Sequence, residues 1–137
     1  MRVVAKIGTS SITDDGGAVD ETAIAKVVTE IATLRERGHE VLLVSSGAVA
    51  AGVATLGFPS RPSDMRTLQA VSAVGQSRIM RVWNDEFAQF DVIGAQVLVD
   101  PYDFVDRTQY LHARSTLGRL LELGCVPIIN ENDAIAN

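Results

Sequence analysis

Apolar residues fall into two rhythms along this chain: short unbroken runs, and longer stretches with apolar positions three and four apart. The unbroken runs predict strands over 2–7, 40–45, 92–99 and 126–129. The helical spacing predicts helices over 20–37, 63–90 and 107–123, with a short alanine-rich helix from Gly47 to near Gly57. In the first helix Asp20 reads as the N-cap, Ile24, Val27, Ile31 and Leu34 as the apolar face, and Gly38 as the stop. In the long helix Leu68, Val71, Ile79, Val82 and Phe87 recur near one face, Trp83 reads as core, and Gly75 is expected to dent or break the helix. In the last helix Tyr110, Leu117 and Leu120 are expected to point inward, with Gly124 as stop. Pro59 and Pro62 mark one loop and Pro101-Tyr102-Asp103 a turn.

Strands that alternate with helices imply a parallel sheet with crossover helices, hence an α/β fold. Composition sharpens that picture. Hydrophobic residues make up 47% of the 137 positions but aromatics only 5%, so the core must be aliphatic. One domain is expected, without repeats or a linker. The net charge of −5, with no cluster of Lys or Arg, argues against nucleic acid and anionic membrane as partners. A single cysteine, Cys125, lies in an apolar run and reads as a small buried hydrophobe. The N-terminal segment lacks the signature of a secretory signal, and the expected location is the cytoplasm.

In open parallel sheets ligands bind beyond the carboxyl ends of the strands, so the chemistry is sought there. At the first tip, Lys6-Ile7-Gly8-Thr9-Ser10 offers a lysine and a short turn whose N–H groups can cradle a phosphate. The alternative is a lysine that snorkels to water beside a glycine that turns the chain. At the second tip, Ser46 and Gly47 open a helix whose free N–H groups favour an anion; the alternative is a plain serine cap. At the third, Asn130-Glu131-Asn132-Asp133 could bind an ammonium group or position a substrate amide; the alternative is a solvated turn, and polar clusters at all three strand ends together favour the functional reading. Other polar residues carry less. His39 is expected in solvent, His112 on a helix surface, Gln76-Ser77-Arg78 on a polar helix face, and Asp103, Asp106 and Arg107 in a polar loop. Two distant histidines and one cysteine make no metal site.

Four segments together resemble the amino-acid kinase family. They are 4–10 (Val-Ala-Lys-Ile-Gly-Thr-Ser), 44–52 (Val-Ser-Ser-Gly-Ala-Val-Ala-Ala-Gly), 73–78 (Ala-Val-Gly-Gln-Ser-Arg) and 127–133 (Pro-Ile-Ile-Asn-Glu-Asn-Asp). The last two are the more specific and resemble the γ-glutamyl kinase branch. The resemblance implies a three-layer α/β/α sandwich with a mainly parallel sheet. It implies transfer of phosphate from ATP, with Mg²⁺ carried by the nucleotide, to the side-chain carboxylate of L-glutamate. By motif, Lys6 is similar to the phosphate-contacting lysine, Gly8, Thr9 and Ser10 fall in the phosphate loop, and Ser46, Gly47, Asn130 and Asp133 match substrate-binding positions. It further implies a homo-oligomer and proline as a possible feedback inhibitor. In the family the catalytic domain continues past Asn-Glu-Asn-Asp into a Gly-Asp-Asn-Asp segment and the nucleotide-binding elements. Residues 1–137 are therefore expected to be its substrate-facing part, without the nucleotide-binding half. Two alternatives stay open at this point: another amino-acid kinase, or a non-catalytic piece that binds glutamate or proline or mediates oligomerisation.

The reaction suits the residues. A carboxylate with a pKa of about 4.3 is already ionised at neutral pH, so attack needs no general base. The catalyst must hold two anions together, and phosphoryl transfer is mostly positioning and charge stabilisation.

Overall fold

The computed structural model describes residues 1–100 and 105–131. The predicted turn at Pro101-Tyr102-Asp103, together with Asn132 and Asp133, lies outside them. Four strands form one parallel sheet: β1 (Arg2–Ile7), β2 (Glu40–Ser45), β3 (Gly94–Val99) and β4 (Val126–Glu131), in the order β1-β2-β4-β3. Between them run α1 (Thr9–Ile12), α2 (Glu21–Glu36), α3 (Ala48–Leu56), α4 (Met65–Ala88) and α5 (Arg107–Glu122). Right-handed crossovers put the helices of β1→β2 and β2→β3 on one face of the sheet and the helix of the returning β3→β4 connection on the other. Accordingly α2 lies against α4, while α5 meets β4. The α/β/α layering and parallel sheet are those expected. No helix among the described residues is long and apolar enough to cross a membrane.

The α2/α4 face holds the core: Ile24, Val28 and Ile31 from α2, Ile79, Trp83 and Phe87 from α4, and Val41, Leu43, Val126 and Ile128 from the sheet. Each such side chain contributes roughly 1.5–3 kcal/mol on burial. In α2 the deeper residue is Val28, with Val27 only half-buried, because the 3.6-residue repeat drifts across the helix face. The α5 layer is thinner. Leu121 is buried, Leu117 and Leu120 are half-buried, and Tyr110, expected inward, is exposed. The buried and half-buried leucines lie in the C-terminal half of α5, and most of its N-terminal half is exposed.

Helix ends follow cap chemistry. Asp20 caps α2 as expected, accepting from the Ala23 N–H. Asp64 caps α4 one residue beyond the predicted start, accepting from the N–H and hydroxyl of Thr67. Asp106 caps α5 through Thr108 and Gln109 rather than serving a polar loop. The Thr67 hydroxyl bond, with the backbone bond behind it, lowers the Asp64 pKa below its ordinary 3.8. A lowered folded-state pKa stabilises the fold above the unfolded value and ceases to do so as pH falls through the folded one. Asp64→Ala should therefore lower the thermal midpoint at neutral pH, and the gap from the parent should close below about pH 4. A gap that persists at pH 2 in thermal melts would show that the cap does not act through charge.

Gly75 neither breaks nor dents α4, which is continuous over 24 residues. It marks a helix crossing instead. A Cβ on Gly75 would lie 1.6 Å from the Ala48 carbonyl oxygen, and one on Gly52 would lie 2.0 Å from that of Val71. The backbones of α3 and α4 touch where each presents a glycine. Two smaller expectations also shift. His39 is half-buried, with Nδ1 enclosed and without a partner among the described residues, and Cys125 is half-buried rather than fully buried.

Candidate functional site

The tips of β1 and β2 are tied together by hydroxyl groups. Ser46 Oγ donates to the Ile7 carbonyl at 3.1 Å, and a carbonyl can only accept. Its single proton is thus committed, so the 3.2 Å contact with Thr9 must run from the Thr9 hydroxyl to Ser46 Oγ. What remains on Ser46 is acceptor capacity, suited to an N–H donor such as an ammonium group. Ser46 is therefore not the helix cap. That position belongs to Gly47, with φ +95° and no side-chain cap bond, so the first N–H groups of α3, at Ala48 and Val49, are left without one.

Gly47 is required by its backbone. The left-handed φ favours glycine, and an added Cβ would meet Ile79, Ile12 and Thr9 of the protein at 3.5–3.7 Å, not space kept for a ligand. Gly8 opens the expected turn: its carbonyl accepts from the Ser11 N–H at 3.1 Å at the head of the single turn of α1, its φ of −77° is ordinary, and a Cβ added there would meet nothing within 4 Å. Thr9 and Ser10 are the first residues of that turn, and both are exposed.

Residues paired across parallel strands share a face. Lys6 pairs with Val44, and Val44 with Ile129, so Lys6 belongs to the α5 side of the sheet, where it is exposed. Ile7 pairs with Ser45 on the α2/α4 side. One step past the Val44–Ile129 pair, Ser45 and Asn130 stand side by side on that same face, and both are buried. Asn130 is buried and lies within the strand, not in a solvated turn. Its Nδ2 finds no hydrogen-bond partner among the described residues. A buried amide that lacks a partner costs roughly 1–3 kcal/mol, which makes it a candidate for meeting a ligand or a neighbouring segment.

The structure thus brings Lys6, Thr9, Ser46, Gly47 and Asn130 to one end of the sheet, with Lys6 and Asn130 on opposite faces. Asp133 lies outside the described residues. His112 is exposed on α5, and Ser77 and Arg78 are exposed on α4. Gln76 is half-buried, with an enclosed Nε2 that has no partner among the described residues. Sequence reasoning missed Ser45 and the polar role of Trp83. The Trp83 indole donates to Ser45 Oγ at 3.1 Å, and the only advance signal was a serine at the buried end of an apolar strand.

Comparison with known proteins identifies the family. The amino acid kinase family profile matches residues 1–137. The chain is 52% identical over 134 residues to the glutamate 5-kinase of Ralstonia nicotianae, covering 98% of this chain and 36% of that protein. It is 47% identical over 136 residues to the glutamate 5-kinase of Bacillus cereus, covering 99% of this chain and 37% of that one. The chain therefore spans little more than a third of the length of these relatives. In fold it is similar to the isopentenyl phosphate kinase of T. acidophilum, with a TM-score of 0.61 at 16% identity over 94% of this chain and 54% of that one. It is also similar to the aspartate kinase of Synechocystis, with a TM-score of 0.55 at 16% identity over 93% of this chain and 21% of the other. A profile matched from end to end, close relatives across the same residues and a shared fold agree: this chain belongs to the amino acid kinase family.

Proposed function

We propose that a full-length protein carrying this chain transfers the γ-phosphoryl group of ATP to the side-chain carboxylate of L-glutamate, giving L-glutamyl 5-phosphate, the first step of proline biosynthesis. A carboxylate oxygen forms the new bond to phosphorus, the bond to the β,γ-bridging oxygen breaks, and ADP leaves with that electron pair. No proton moves in this step. Mg²⁺ enters on the nucleotide as part of that substrate.

The observation that carries the reading is the hydroxyl tie between the first two strand tips. It joins the Lys6 strand to the Ser46–Gly47 loop as one surface. Identity of about half over almost the whole chain to glutamate 5-kinases supports the choice of glutamate. In this reading Lys6 offsets charge on the transferring group, beside Gly8, Thr9 and Ser10. The free acceptor on Ser46, with the carboxylate of Asp133, takes the α-ammonium of glutamate. Asn130 donates to a substrate oxygen, and the start of α3 at Gly47 favours a carboxylate. The reading also implies a homo-oligomer in the cytoplasm, with proline as a possible feedback ligand.

The test is turnover of a full-length protein with ATP and a panel of glutamate, aspartate, N-acetylglutamate and carbamate. Preference for glutamate is expected. Preference for another acceptor would replace the substrate, and glutamate binding by calorimetry without turnover would leave a binding protein. Asp133→Ala should raise the KM for glutamate roughly tenfold or more, the size of one charge-assisted contact, with a smaller effect on kcat. An unchanged KM would remove Asp133 from the site.

A further inference from the structure

The buried contact between α4 and β2 has a shape that packing alone does not require. Trp83, the chain's single tryptophan, is fully buried and stacks on Phe87 with ring centroids 6.1 Å apart. A phenyl ring could supply that stacking. The indole adds an N–H, and that N–H is spent on Ser45 Oγ, itself 4% exposed, at 3.1 Å. An indole nitrogen only donates, so the Ser45 proton is free to turn onward, and it faces the Ser46 carbonyl at 3.5 Å. Ser46 in turn holds the Ile7 carbonyl and receives the Thr9 hydroxyl. The polar line therefore runs from the C-terminal part of α4, through the tip of β2, to the tip of β1. One turn earlier on α4, Ile79 stands beside Gly47, its Cδ1 3.5 Å from the position a Cβ would take. The helix thus touches the loop twice, under Ser45 and beside Gly47.

We propose that Trp83 is a positioning residue: its bond to Ser45 fixes the β2 tip and so places Ser46 and Gly47 for the ligand they face. The consequence for affinity rests on the glutamate-binding role proposed above for that loop. The placement itself does not. The Trp83–Ser45 bond is the buried member of that line, and a buried bond rigidifies what it joins, since an unpaired partner has no water to turn to.

Two conservative variants of a full-length protein test this, Trp83→Phe and Ser45→Ala, which remove the donor and the acceptor separately. Phe87→Leu is the control: it loosens the same core but leaves the bond intact. Amide hydrogen exchange at Ala51, whose N–H donates to the Gly47 carbonyl at 2.9 Å, should quicken about fivefold in each test variant, as expected from one neutral hydrogen bond, and not in the control. The KM for glutamate should rise by a similar factor while kcat stays within about twofold. The double variant should do no more than the larger single one, because both remove the same bond. Unchanged exchange at Ala51 in both variants overturns the inference whatever the activity, and so does an equal change in Phe87→Leu. If the unaltered protein does not phosphorylate glutamate, the proposed reaction falls, and the exchange comparison still decides the role of Trp83.

Discussion

Lys6→Ala, in a full-length protein, should lower kcat by roughly 10²–10³, the usual loss for one donor aimed at charge that develops in the transition state. The side chain sits near the end of β1, one residue before the carbonyl that Ser46 holds, and it is exposed. Exposure makes the experiment clean. Truncation opens no core cavity, so stability should stay within about 0.5 kcal/mol, as for ordinary surface changes. A fall in kcat without a fall in thermal midpoint would then report chemistry. Lys6→Arg should recover only part of the rate, since a planar fork does not reproduce a compact point charge against a phosphoryl group. Near-normal turnover of Lys6→Ala would remove Lys6 from catalysis and leave it a solvated lysine at a strand end.

Gly75→Ala carries the largest expected cost in stability. Alanine is the better helix former by roughly 1 kcal/mol, so propensity alone predicts stabilisation. The crossing with α3 opposes it. The new Cβ would lie 1.6 Å from the Ala48 carbonyl oxygen and 2.6 Å from the Gly52 nitrogen, and both are backbone atoms that no rotamer change can move aside. The helices would have to separate, unseating Val71 and Ile79 from the core, for a net loss of about 3 kcal/mol. That is a large share of a typical domain stability of about 5–15 kcal/mol. Because α3 starts directly after Gly47, the same displacement should also weaken ligand binding at the loop. Gly118→Ala is the matched control. It too lies within a helix, but its added Cβ meets nothing within 4 Å, so propensity should win and the variant should gain stability. Urea unfolding of the pair should give opposite signs. Equal, small effects would show that α3 and α4 do not approach as closely as described.

Local chemistry was legible from the order of residues. The apolar runs located all four strands, and β1 and β2 began and ended where the runs did. Asp20 announced the start of α2, and Gly57 the end of α3, because a cap bond or a left-handed stop involves only neighbours in sequence. Even Lys6, Ser46 and Asn130 could be picked out as polar groups closing apolar strands. Their relations could not. Whether Lys6 and Asn130 share a face depends on strand order and register, set by pairs such as Lys6–Val44 and Val44–Ile129 that are distant in sequence. Gly75 reads alike in one dimension whether it weakens a helix or admits another, and only the approach of α3 distinguishes the two. Trp83 was core on any reading, yet its hydrogen bond to Ser45 exists only once α4 lies across β2. Caps and periodicity are short-range free energies written into adjacent residues. Faces, crossings and buried polar pairs arise from contacts between distant segments, and these take their values when the chain closes on itself.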